Sequence, residues 1–240
     1  MQQTNRSRHR HMTSFQVISL GFLSVILLGS LLLMLPIATK SGQCTSFLDA
    51  LFTATSAVCV TGLVINDTAT YWSLFGQGII LLLIQIGGMG IITIAIAIAV
   101  VSGRKIGLMQ RSTMQEAISA PTVGGIVRRT QFIIRTTILI EIIGAALLAP
   151  VFCRDFGFWK GIWYSLFHSI SAFCNAGFDL IGIRTPFSSL TSYSVQPIVN
   201  LVIMVLIVAG GIGFLTWEDI KNHNCLLYTS DAADDLIGVD

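Results

Sequence analysis

Two long stretches of this chain carry no ionisable side chain, one from Gly76 to Val101 and one from Tyr193 to Trp217. Wound as helix at ~1.5 Å per residue, either stretch exceeds the ~20 residues needed to cross ~30 Å of hydrocarbon. A soluble domain keeps roughly 25% charged residues to cover its wetted surface. Here the charged fraction is 11%, the hydrophobic fraction 53% and the mean hydropathy +0.79. The chain therefore reads as an all-α membrane protein in contact with lipid, and no nucleic-acid partner is expected.

Four apolar spans are predicted, over Phe15–Pro36, Leu74–Val101, Gln131–Phe152 and Tyr193–Thr216. Arg6, Arg8 and Arg10 precede the first, which is too long for the apolar core of a secretory signal and ends without a small-residue cleavage site. The connector between the second and third spans carries Arg104, Lys105, Arg111, Arg128 and Arg129 against Glu116 alone. The other connectors are balanced: Lys40 against Asp49 and Asp67, then Arg154, Lys160 and Arg184 against Asp155 and Asp179. Basic residues collect on the cytoplasmic side, so the N-terminus, the middle connector and the region after Thr216 are placed inside. The expected organisation is a basic N-terminus (1–12), a first unit (13–102), a cytosolic connector (103–130), a second unit (131–217) and a tail (218–240).

Each outside connector holds a shorter apolar stretch, Phe47–Leu63 and Gly161–Phe178, too short to span and expected to dip into the membrane and return. Set at an offset of 115 residues (Leu51 to Leu166), LFTATSAVCVTGL and LFHSISAFCNAGF share Leu, Phe, Ser, Ala, Cys and Gly. A second shared element follows each, GGMGIIT from Gly87 and GGIGFLT from Gly210, now at an offset of 123. Two elements recurring in the same order indicate a duplicated span–dip–span unit.

A helix of about Thr45–Ala57 reaches roughly half-way across the bilayer. The chain must then return through non-helical backbone, tolerated at membrane depth only when buried in protein or lining a watery path. Carbonyls facing such a path can replace the hydration shell of a cation. The negative end of the helix dipole points to the same place. Gly62 and Gly177 stand where unusual dihedrals are required.

With SAVCVTGL and SAFCNAGF as its loops, the sequence over about residues 13–224 resembles the Trk/Ktr/HKT superfamily of potassium transporters, and within it the bacterial KtrB-like branch. That resemblance implies four such units around one pore. It assigns filter segments Val58, Cys59, Val60, Thr61 and Gly62, then Phe173, Cys174, Asn175, Ala176 and Gly177, with backbone carbonyls as ligands of K+. It further implies a bacterial cell membrane location, a homodimer, a cytosolic nucleotide-binding regulatory ring, and Na+ as a coupling or stimulating ion. Only two of the four units are present, and Cys225–Asp240, with LLYTSDAADD, reads as a foreign tail after about Asn224. The expectation is the N-terminal half of a transporter; the alternative is a complete two-unit cation channel subunit that dimerises to form its pore.

Asp67 and Asp179 follow the loops and are candidates for an outer mouth that concentrates cations, with a solvated loop carboxylate as the plain reading. Asp49 suits the start of the first short helix. The glycine clusters Gly87–Gly90 and Gly210–Gly213 are expected to let helices pack closely. Arg135 and Glu141 are six residues apart and lie on different faces; Glu141 is expected to meet a partner on another helix. His168 and Cys174 do not form a nucleophile pair, since the first copy has Thr53 in place of His168. The five cysteines are read as small apolar residues, no resident metal or cofactor is expected, and no enzymatic motif is found.

Overall fold

The computed structural model describes residues 13–90, 93–94, 126–183, 185–213 and 217. Among them the chain is helical, with one isolated bridge between Thr39 and Trp72 and no strand. In order the helices are α1 Ser14–Leu33, α2 Phe47–Val58, α3 Thr68–Tyr71, α4 Leu74–Met89, α5 Ile126–Phe156, α6 Phe158–Phe173 and α7 Pro197–Gly211. The two duplicated sequence elements fall on corresponding helices: the first on the ends of α2 and α6, the second on the ends of α4 and α7.

Local chemistry sets most of these ends. Thr13 and Gln16 form a reciprocal capping box at the start of α1. Ser46 accepts from the Asp49 amide to open α2, and Asp49 lies in its first turn. Ser73 does the same for α4, and Pro197 begins α7 with its missing N–H at an orphan position. The last span therefore starts at Pro197 rather than Tyr193; residues Ser189–Tyr193 form a 3-10 turn, held to the end of α5 by Tyr193 Oη donating to Asp155. Of the second expected span, residues 91–92 and 95–101 lie outside the described residues. The helix that begins it, α4, is interrupted after Met89, where Gly90 takes φ 80°, and the Ile94 amide then donates back to the Gly90 carbonyl. The third span runs longer, since α5 begins at Ile126. The N-terminal arm, connector residues 103–125, Arg184 and the tail lie outside the described residues.

The helices α1 and α5 are each long and apolar enough to cross a membrane. On α5, Ile133, Thr137, Glu141, Leu148 and Phe152 are buried on one stripe, while Leu139, Ile142, Ile143 and Leu147 are exposed on the other. On α1, Leu20, Leu23, Leu28 and Leu31 are likewise exposed. Such outward leucines suit hydrocarbon, where burying them between helices brings little gain, so association must come from close packing and polar contacts.

Both are present. A Cβ on Gly29 of α1 would stand 2.7 Å from Leu83 of α4, and one on Gly144 of α5 would stand 2.8 Å from Leu206 of α7. These pairs sit at the repeat's own offsets, 115 and 123, and the sequence comparison of the dips did not reach them. Between the units, α4 supplies two glutamines. Gln77 accepts from Trp163 Nε1 at 2.9 Å, and Gln85 donates to both carboxylate oxygens of Glu141 at 2.9 and 3.1 Å. Glu141 has the interhelical partner expected of it, and Arg135 is exposed on another face.

Replacing Glu141 with Leu leaves the Gln85 amide without its acceptor and should cost about 1–2 kcal/mol, whereas Glu141→Gln keeps an acceptor and should cost less than half of that. Thermal unfolding in detergent, followed by fluorescence-detected gel filtration, checks the order.

Candidate functional site

The two loops that follow α2 and α6 have the same backbone. Each helix ends in a right-handed residue, Cys59 at φ −83° and Cys174 at φ −74°. The next residues, Val60 and Asn175, both take φ 58°, and the glycines two further on, Gly62 and Gly177, both take φ 73°. The hydrogen bonds repeat as well. The amides of Cys59, Val60 and Thr61 donate to the carbonyls of Thr55, Ala57 and Ser56; those of Cys174, Asn175 and Ala176 donate to Ile170, Ala172 and Ser171. Three successive N–H groups thus turn back into the helix in each loop. Among the described residues, no hydrogen bond reaches the carbonyls of Cys59 to Gly62 or of Cys174 to Gly177.

The loops meet at their glycines. A Cβ on Gly62 would stand 2.5 Å from the carbonyl oxygen of Ala176 and 3.2 Å from the Cα of Gly177; one on Gly177 would stand 3.5 Å from the Cα of Gly62. Side-chain bonds back the loops. Thr61 Oγ1 donates to Ser56 Oγ at 2.9 Å, and Ser171 Oγ donates to the Phe178 carbonyl at 2.6 Å. His168 is buried, with Nδ1 2.7 Å from the Tyr164 carbonyl and the Leu180 amide donating to Nε2 at 3.3 Å. This fixes the ring as the Nδ1–H tautomer. Thr53, its counterpart, makes the same bond one turn back, to Asp49. His168 is a loop support, and Cys174 is buried against Gly88 of α4.

The glycine clusters divide into two roles. A Cβ on Gly87 would overlap the Val58 carbonyl oxygen, and one on Gly210 the Phe173 carbonyl oxygen. These are the last carbonyls of α2 and α6, so the first glycine of each cluster brings an inner helix directly against the start of a loop. The last glycine of each, Gly90 at φ 80° and Gly213 at φ 90°, lies just past the helix end. Close packing accounts for the first pair and a change of backbone direction for the second.

Asp67 is buried, and it ties the loop after α2 to the loop after α6. Its Oδ1 accepts from the amide and hydroxyl of Thr70, both at 2.8 Å, and its Oδ2 accepts from the Phe187 amide at 2.9 Å. Asp179 accepts from the Ile181 amide at 3.0 Å. Burial, the largest influence, pushes its carboxyl above the usual range, with the nearby Asp67 charge adding to the rise. Among the described residues, no group of His, Cys, Asp and Glu is arranged to hold a resident metal.

Apolar helices here bring two glycine-bearing loops into contact, with their carbonyls unengaged among the described residues, so the site is one of backbone oxygens in a helical membrane protein. Comparison with known proteins narrows this. Residues 1–221 match the TrkH family, described as cation transport protein, and the chain belongs to that family. It is 42% identical over 215 residues to the potassium/sodium uptake protein NtpJ of Enterococcus hirae, covering 90% of this chain and 47% of that protein. It is 45% identical over 208 residues to Ktr system potassium uptake protein B of Bacillus subtilis, covering 87% and 45%. The corresponding Vibrio alginolyticus protein is 36% identical over 208 residues, covering 87% and 44%. The chain spans about half the length of these relatives.

Gly87→Ala and Gly210→Ala should each collapse the folded fraction, because the clash is with backbone that cannot step aside. Gly78→Ala, with open space around it, should leave the gel-filtration profile unchanged.

Proposed function

We propose that the whole protein of which this chain forms about half takes up potassium through a single pore, and that the two loops are half of its selectivity filter. The observation that carries this reading is the pair of stretches, 59–62 and 174–177, whose amides are bonded into the preceding helix while their carbonyls accept nothing among the described residues. Alternating positive and negative φ turns successive carbonyls toward one side, and bare carbonyls at membrane depth have a reason to exist if a cation takes the place of a donor. The Val58 and Phe173 carbonyls, packed on the inner-helix glycines, act as the base of each filter segment, and the next four carbonyls of each are the ligands.

The names of the relatives support K+ as the permeating ion and leave room for Na+ as the coupling or stimulating one. Relatives named as parts of a Ktr system support partner proteins, and a homodimer on a cytosolic nucleotide-binding ring is the arrangement we assign to the intact subunit. The basic N-terminus and connector favour a cytoplasmic N-terminus, which puts the loops, Asp67 and Asp179 at the outer face. There Asp179 adds negative charge close to the mouth, and Asp67 acts by holding the two outer loops together. The membrane potential, ~2.3 kcal/mol per charge per 100 mV, is sufficient to drive inward accumulation.

Growth of cells lacking potassium uptake, at low external potassium, tests the proposal. The chain extended with the second half of the Bacillus subtilis relative should restore growth, and Gly62→Ser or Gly177→Ser in that form should abolish it. Failure of the extended form, despite membrane insertion, would remove the potassium reading. Rescue by the 240 residues alone would transfer the pore to a dimer of two-unit subunits.

A further inference from the structure

At the end of the bundle where the re-entrant loops enter, a cleft of about 380 Å³ opens between α4 of the first unit and α6 of the second. Pockets that hold small ligands run from roughly 300 Å³ upward, so this one has room for a headgroup. Leu74, Trp159, Trp163 and Ile183 supply apolar and aromatic walls, and the charged residues lining it are Lys40 and Lys160, with no carboxylate among the lining.

Both lysines are exposed. Lys40 Nζ donates to the Ala69 carbonyl, which leaves two of its three N–H groups for another acceptor. Lys160 makes no hydrogen bond among the described residues and sits in the first turn of α6. That helix differs from α2 at its start. Ser46 caps α2 and Asp49 lies in its first turn, whereas α6 begins at Gly157 with no side-chain cap and no acid. The first turn of α6 thus carries Lys160 and no acid of its own. Trp159, 82% exposed, stands beside these charges with its ring outward. Tryptophan and lysine together mark the boundary between acyl chains and headgroups.

We propose that this cleft binds an anionic phospholipid, its phosphate between Lys40 and Lys160 and its glycerol and upper acyl chain against Trp159 and Trp163. The apolar walls select a lipid over a free phosphate ester, which would leave them wet. The site rests on the membrane setting of the chain and is independent of which ion the loops pass.

The chain is reconstituted in phosphatidylcholine vesicles carrying rising fractions of brominated phosphatidylglycerol or brominated phosphatidylcholine, and quenching of its tryptophan fluorescence is followed. The phosphatidylglycerol analogue should reach half-quenching at a mole fraction about thirtyfold lower, as expected for two lysines acting on one anionic lipid. Lys160→Gln, which breaks no hydrogen bond or ion pair among the described residues, should move the two curves together by several fold, and adding Lys40→Gln should make them coincide. Millimolar glycerol phosphate should leave the wild-type curves in place. Equal quenching by the two lipids, an unchanged preference in both variants, or reversal by glycerol phosphate would each overturn the proposal.

Discussion

A backbone contact holds each half of this structure in shape: the last carbonyl of a re-entrant helix against a glycine of the inner helix that follows it. Val58 lies on Gly87, and Phe173 lies on Gly210. Because no side chain intervenes, the start of each loop is placed by main chain against main chain, with none of the rotamer freedom that a larger residue would bring. The loop then inherits its position from the helix dipole behind it and the glycine beside it. Everything further along, including the meeting of Gly62 with Ala176 and Gly177, depends on those two contacts. The lipid-facing helices need no comparable precision, and their leucines show it.

Joining the two units is a separate problem with a separate answer. Apolar surface gains little from leaving lipid for protein, so α4 meets the second unit through hydrogen bonds that have no competitor in hydrocarbon. Gln77 with Trp163 and Gln85 with Glu141 are spaced two turns apart along one side of α4. Asp67 with Phe187 adds a third link, between the loop after α2 and the loop after α6. Gln85 also borders Cys174, so the Glu141 link ends within one residue of the second loop's first left-handed residue. The polar contacts between units thus converge on the loops they must align.

Much of this was legible in the residues. The repeated SA-x-C-x-x-G stretch and the following glycine cluster are short-range patterns, and the ends of α2 and α6 and of α4 and α7 fall on them. The capped starts of α1, α2 and α4 are also local. The span limits were less legible, because an uncharged run tells where lipid can lie and says nothing of where a helix must break. Gly90 ends α4 inside a run that remains apolar to Val101, and only its φ reveals it. Gln77 and Gln85 give no local signal for a related reason: a glutamine in an apolar run carries no charge to flag it, and its partner lies on a helix more than fifty residues away. Gly29 and Gly144 fall outside the shared motifs and became paired only through their distances to Leu83 and Leu206.

The two loops also differ, and the difference bears on what they are for. Val60 and Asn175 hold the same φ of 58°. Asparagine visits this region with modest cost, but a β-branched valine there is a true outlier, of order 1–3 kcal/mol. Val60 nevertheless keeps the conformation, with its amide bonded to Ala57 and the next amide bonded to Ser56. A loop whose only task was to turn the chain would take glycine or asparagine at that point and lose the strain. Retaining valine makes sense where the side chain has its own packing to do while the carbonyls stay aligned, and Val60 is partly buried against the core. Asn175 instead reaches its amide toward the Ile207 carbonyl of α7 at 3.4 Å. One loop is thus braced by apolar packing and the other by a polar reach to its inner helix, with the same backbone as the result.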